Sequence, residues 1–257
     1  MNPLQRDLLL ALDPVVFAKE TLGITPDPWQ AKVLRYAGKR LILNCSRQSG
    51  KSLTASIKAL HRAIFSPRSL VLLISPSLRQ SSELFRVVSD LTKKIEPMPR
   101  RIEDNRLSMT LENHSRIVSL PSKEETVRGY ASVDMIIEDE ASRVDDELFF
   151  SIRPMLATSG GALILMSTPF GRRGHFYDIY TGSGDRLKDG WERVEVEGKD
   201  CPRISKEFLQ EEKLALGEWW FSQEYECEFV ESEAAVFGVD YLEAAMTDEF
   251  KIFPGGE

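Results

Sequence analysis

Cys45-Ser46-Arg47-Gln48-Ser49-Gly50-Lys51-Ser52 decides how this chain is read. The segment lies between Leu41-Ile42-Leu43, an apolar run that reads as a buried strand, and a stretch from Leu53 to Phe65 with apolar residues at helical spacing. A loop between such a strand and helix presents successive backbone N–H groups, and a helix N-terminus, to the phosphates of a nucleotide. Ser46, Arg47, Gln48, Ser49, Gly50, Lys51 and Ser52 are therefore the candidate nucleotide-binding residues. Lys51 is placed to reach the β- and γ-phosphates, and the Ser52 hydroxyl to hold Mg²⁺. The pattern's first position, ordinarily glycine, is Cys45 here. The bland alternative is a surface turn at a helix start, and the strand-loop-helix context weighs against it.

Two further apolar runs end in polar residues. Val133-Asp134-Met135-Ile136-Ile137 leads into Glu138-Asp139-Glu140. Asp139, at a strand's carboxyl end, suits a Mg²⁺ ligand. Glu140, one residue on, points elsewhere and is a candidate to orient or deprotonate an attacking water. Read alone, these are acidic residues at a solvated strand end. Ala162 to Met166 runs likewise into Ser167-Thr168-Pro169. Hydroxyls at a strand's carboxyl edge lie where open α/β sheets bind ligands, so Ser167 and Thr168 are candidates to sense a γ-phosphate and relay its hydrolysis. In isolation that segment is a strand followed by a Pro-Phe-Gly turn.

Alternating buried strands and helices imply an α/β fold with a mainly parallel sheet covered on both faces. Helices are expected over Leu4 to Leu12, Pro14 to Thr21 and Pro28 to Tyr36, with Asp27-Pro28 opening the third. Gln30 falls in its first turn, and a glutamine amide can pair with both the amino group and a ring nitrogen of adenine. The alternative is a solvated helix glutamine. A strand over Leu70 to Ile74 and a helix from Leu78 to Lys94 follow. Leu107 to Leu111 and Arg116 to Leu120 read as a hairpin at a sheet edge. Arg100, Arg101 and Arg106 beside it read as a solvated charge run, with nucleic-acid contact the alternative. After Thr181-Gly182-Ser183-Gly184, Glu192 to Glu197 alternates as a strand and a helical tail runs from Ser205 to Glu228. Its aromatic residues read as packing for a small separate subdomain.

At 257 residues the chain can bury one substantial core plus an appendage. Cys45, Cys201 and Cys227 are widely spaced and unpaired in pattern, and His61, His114 and His175 are scattered, which argues against a zinc site. No apolar run approaches the length of a membrane span. The net charge of −7 gives bulk electrostatics no role in nucleic-acid binding, so any such contact must be local.

Taken together, these segments resemble the ATPase domain of the large terminase subunit, the DNA-packaging motor of tailed bacteriophages. Pro28-Trp29-Gln30 matches the family's adenine motif, Ser46 to Ser52 its phosphate loop and Ile136 to Glu140 its acidic strand. Ser167-Thr168-Pro169 matches its coupling motif, and Gln223-Glu224-Tyr225 with Glu228-Phe229 its lid signature. The resemblance implies a P-loop ATPase core over 1–190, a lid over 191–235, and a linker over 236–257 toward a nuclease domain not present in this chain. It implies ATP and Mg²⁺ at the site. It further implies double-stranded DNA, a portal protein and a small terminase subunit as partners of a ring of copies, monomeric in isolation, in the host cytoplasm and transiently on a procapsid. Arg128, in Thr126-Val127-Arg128-Gly129, resembles an arginine that reaches a neighbouring subunit's γ-phosphate, and Arg47 is its rival, acting within the subunit. Two other readings stand beside this one. A helicase-type ATPase on single strands would expect a second ATPase-like domain, and a nucleotide-gated assembly module would have no use for adjacent Asp139 and Glu140.

Overall fold

A computed structural model describes residues 2–123, 127, 129–183 and 190–231. Arg128, Thr126, Gly184 and the expected linker over 236–257 lie outside the described residues. Eight strands form one sheet: β1 (Arg40–Cys45), β2 (Leu70–Ser75), β3 (Arg101–Asp104), β4 (Ser108–Leu111), β5 (Arg116–Pro121), β6 (Met135–Asp139), β7 (Ala162–Ser167) and β8 (Glu192–Val196). Their spatial order is β3-β4-β5-β2-β6-β7-β1-β8. The run from β5 to β8 is parallel, while β3 and β4 add antiparallel to the β5 side.

Both faces of the parallel strands are buried, which is why these segments are nearly continuous apolar runs. On one face Leu41, Leu43, Val71, Leu73, Ile137 and Ile164 pack under α4 (Lys51–Phe65) and α5 (Leu78–Thr92). On the other, Ile42, Leu72, Ile136 and Leu165 meet α6 (Asp146–Ile152) and α7 (Gly174–Thr181). Helices α1 (Pro3–Leu12), α2 (Pro14–Glu20) and α3 (Pro28–Arg35) add to the α4 side. The buried Lys58 ammonium fixes α3 there, donating to the carbonyls of Val33, Leu34 and Tyr36 at 2.8–3.1 Å. A cation at a helix C-terminus satisfies carbonyls that have no partner within the helix.

The expected hairpin is present as β4 and β5, but the sheet edge is β3, a short strand whose Ile102 is exposed and which apolar patterning does not reveal. The expected solvated run therefore divides. Arg100 and Arg106 are exposed, whereas Arg101 is tied to Asp104 at 2.6 Å and to the Ser89 carbonyl at 3.2 Å. β8 joins the core sheet beside β1 instead of standing apart with the tail, because its alternating Val194 and Val196 complete the edge next to the phosphate-loop strand. In the tail helix α8 (Lys206–Tyr225), Phe221 and Tyr225 are buried, but Phe208, Leu214 and Trp220 are exposed. Gly217, at φ 76° and ψ 164°, breaks the helical path, so the two halves do not share one apolar face. Among the described residues no helix is long and apolar enough to cross a membrane.

Candidate functional site

The carboxyl ends of β1, β7 and β6 lie side by side, with Asn44 opposite Ser167 and Met166 opposite Asp139. The strand of Ser167 thus stands between the phosphate-loop strand and the acidic strand, and all three segments deliver side chains to one edge. Such an edge is where parallel sheets hold ligands.

From β1 the chain turns through residues 46–50 into α4. Gly50 caps the helix in a left-handed conformation at φ 96°. A Cβ on Gly50 would lie 2.8 Å from Gln30 Nε2 and 3.0 Å from Arg203 Nη2, so both space and backbone demand glycine. Among the described residues no side chain caps the start of this helix, which leaves its first amides for an anion. Cys45 is fully buried beneath the loop, and burial pushes its thiol up to about 12, so it packs as a small apolar residue and not as a nucleophile.

The loop is braced from late in the chain. Ser46 N donates to the Val196 carbonyl at 2.8 Å and Arg47 N to the Glu224 carbonyl at 2.9 Å. Asn44 Nδ2 donates to the Cys227 carbonyl at 2.8 Å. The Arg47 guanidinium also pairs with the Glu224 carboxylate at 3.4 Å. Arg203 donates to the Ser49 carbonyl at 2.7 Å and pairs with Asp27 at 2.7 Å. Arg203 joins the loop to the segment preceding α3. Nothing in its local sequence marks it, since the contact spans 154 residues.

Lys51 is buried, with Nζ 3.3 Å from Glu140 Oε1 and 3.4 Å from Thr168 Oγ1. Burial alone would push its ammonium down, but the charges of Glu140 and Asp139 outweigh it and hold the pKa above its ordinary value. Asp139 experiences the opposite balance. Burial, reinforced by Glu140, pushes its carboxyl up to about 7 although Lys51 opposes the rise. Glu140 has a left-handed backbone, φ 52° and ψ 42°, which costs a residue with a side chain of order 1 kcal/mol. Its N–H donates to Asp139 Oδ1 at 3.0 Å. That turn leaves the Glu140 side chain on Lys51 while Asp139 accepts from the Glu140 backbone. Ser167 Oγ lies 3.4 Å from Glu140 Oε2, and Ser142 Oγ lies 2.7 Å from Ser167 Oγ and 2.8 Å from the Thr168 carbonyl oxygen. Nothing in the local sequence marks Ser142, because its place depends on the turn at Glu140.

Gln30 is buried, which removes the solvated-glutamine reading. Its Oε1 accepts the Asp27 N–H at 2.9 Å, a capping-box contact that fixes which end of the amide is oxygen. Its Nε2 has no partner among the described residues. Ser52 stands in the first turn of α4. Its hydroxyl and the Asp139 carboxylate are the hard oxygen donors a Mg²⁺ ion takes.

Residues 42–244 match a family model described as terminase large subunit, T4likevirus-type, N-terminal. The large terminase subunit of Thermus virus P23-45 is 27% identical over 256 residues, covering 87% of this chain and 53% of that protein. That of Escherichia phage T5 is 26% identical over 224 residues, covering 84% of this chain and 50% of its own length. The chain thus spans about half the length of the large terminase subunits it matches. The large terminase ATPase domain of Thermus phage P74-26 superposes with a TM-score of 0.74 at 25% identity, over 85% of this chain and all of that one.

Proposed function

This chain belongs to the terminase large-subunit family, in its T4-like N-terminal part, and on that premise we propose that it hydrolyses ATP with Mg²⁺ to drive double-stranded viral DNA into a capsid. The observation that carries this reading is the convergence of Lys51, Glu140 and Thr168 within 3.4 Å beside buried Asp139, at the mouth of an uncapped helix. A module that only senses nucleotide has no need of a second carboxylate there, beside the one that would hold Mg²⁺.

The roles follow from the contacts. The amides of residues 48–52 and the Lys51 ammonium cradle phosphate oxygens, while those of Ser46 and Arg47 are taken by the Val196 and Glu224 carbonyls. When these arrive, Lys51 exchanges Glu140 for phosphate, and the released carboxylate is free to orient or deprotonate water. Ser52 and Asp139 would hold Mg²⁺, which when bound neutralises charge on the β- and γ-oxygens. Thr168 touches Lys51 and Ser167 touches Glu140, so the two hydroxyls are placed to register whether the γ-phosphate is present. Arg47, paired with Glu224, and Arg128 of a neighbouring copy are the rival groups for stabilising charge on that phosphate. A ring of copies on a portal, supplied with DNA by a small terminase subunit in the host cytoplasm, is the assembly this reading implies.

Phosphate release from ATP and Mg²⁺, measured with and without linear duplex DNA, tests the proposal. Turnover that needs Mg²⁺ and rises with duplex DNA is expected. No turnover, or stimulation by single strands alone, overturns it.

Gln30 lies on the base side. We propose that its unpartnered Nε2 donates to a ring nitrogen of adenine, while the remaining lone pair of Oε1 faces the amino group. Gln30→Ala is then expected to narrow the preference for ATP over GTP more than it weakens phosphate binding. Loss of the capping contact would also cost about 1 kcal/mol of stability. Competition binding with both nucleotides reads the ratio, and an unchanged ratio leaves Gln30 a helix cap only.

A further inference from the structure

Beneath β6, on the face opposite α4, lies a polar cluster that the proposed chemistry does not use. Strand alternation turns Glu138 away from Asp139 and into the apolar layer of Ile136, Leu148 and Phe149, where it is completely buried. A carboxylate in such a place needs a counterpart. His175, also buried, faces it with Nε2 3.4 Å from Glu138 Oε1, an ion-pair distance at which neither atom has a hydrogen-bond partner among the described residues. The other end of the imidazole meets Asp146, whose Oδ1 lies 2.9 Å from Nδ1 and accepts the His175 N–H at 2.7 Å. The ring stacks on Phe149 with centroids 4.3 Å apart and planes 9° from parallel, so its rotation is fixed as well. Burial works against an imidazolium here, but Glu138 and Asp146 outweigh it and raise the pKa above that of an ordinary histidine.

The chain positions of these groups give the cluster its meaning. Glu138 precedes Asp139 and Glu140 on β6, and Asp146 opens α6 at the far end of the loop holding Ser142. His175 lies in the first turn of α7, at the far end of the loop that begins with Thr168. One imidazole therefore ties together the strand and both loops that carry Glu140, Ser142 and Thr168 into the site. We infer that His175 is a positioning residue for hydrolysis, bracing the loop after β6 against the loop after β7 from the face of the sheet opposite α4. The inference rests on the hydrolytic reading above. The phosphate loop and Gln30 belong to other segments, between β1 and α4 and in α3, so the brace governs turnover and not nucleotide affinity.

Two variants test it in the full chain. Asp146→Ala cuts the partly exposed end of the brace and leaves the buried pair intact. E138L/H175F replaces that pair with apolar side chains, so no unpaired charge is left in the core. Each is expected to lower kcat on the order of 10- to 100-fold, as small misplacements of reacting groups do, with the affinity for a fluorescent ATP analogue unchanged. Adding Ser142→Ala to either variant is expected to cost less than it does in wild type, because both changes loosen the same two loops. Wild-type kcat in either folded variant overturns the assignment, as does a rate loss that only mirrors the fraction unfolded or that adds fully to the Ser142→Ala loss. Should E138L/H175F fail to fold, Asp146→Ala decides. Absence of turnover in wild type would instead overturn the hydrolytic reading itself, a distinct result.

Discussion

Glu140→Gln is expected to abolish steady-state ATP turnover while leaving ATP bound. General-base assistance is worth on the order of 10²- to 10⁴-fold, and the loss of rate should fall in that range. The substitution keeps the side chain's length and its capacity to accept from Ser167, 3.4 Å away, so the loops around it need not move. What disappears is the charge that can take a proton from water or hold it by a strong hydrogen bond. The same charge competes with phosphate for Lys51 at 3.3 Å, so the affinity for ATP should hold or tighten. Binding of a fluorescent ATP analogue beside a phosphate-release assay separates the two effects. Turnover at the wild-type rate would remove Glu140 from the chemistry.

Lys51→Ala should fail one step earlier, at binding. Lys51 is the loop's lysine, and its buried ammonium is already held among acceptors. Replacing it withdraws a charge-assisted contact to the β- and γ-phosphates, and it leaves Asp139 and Glu140 without their shared cation. Nucleotide affinity should fall at least about 100-fold, or roughly 2.7 kcal/mol. Because Lys51 now draws the Asp139 carboxyl down, its removal should move that group further up from about 7. Titration calorimetry with ATP and Mg²⁺ reads the affinity, and a thermal melt checks that the fold survives. Binding within a few-fold of wild type would mean that the phosphates do not meet Lys51.

The parts of this site that are legible in the sequence are those whose physics is local. Gly50-Lys51-Ser52 announces itself because only glycine takes the φ of 96° at that helix start, and an apolar run before it makes the strand plain. Asp139 and Glu140 are visible for the same reason, as charges at the end of a run too apolar to be a loop. Neither the intervening place of β7 nor the core position of β8 is written locally. Strand order is set by which faces bury one another, and a parallel strand carries no turn that reveals its neighbour. Arg203, Ser142 and His175 are hidden for a related reason. Each looks like an ordinary polar residue until the fold brings its partner from another segment. Arg101 shows the converse, an arginine in an apparently solvated run that a short edge strand turns onto Ser89 and Asp104.

The bracing of the phosphate loop also has a consequence in time. Its contact with Arg203 closes a separation of 154 residues and that of Asn44 with Cys227 one of 183. At translation rates of roughly 5–20 residues per second, the loop leaves the ribosome about ten to forty seconds before its last supports exist. During that interval the nascent chain displays the nucleotide-binding motif without the tail that holds Ser49 and Arg47 in place. Possession of the motif and competence of the site are thus separate events in the life of the polypeptide, and the second waits for residues 203–227.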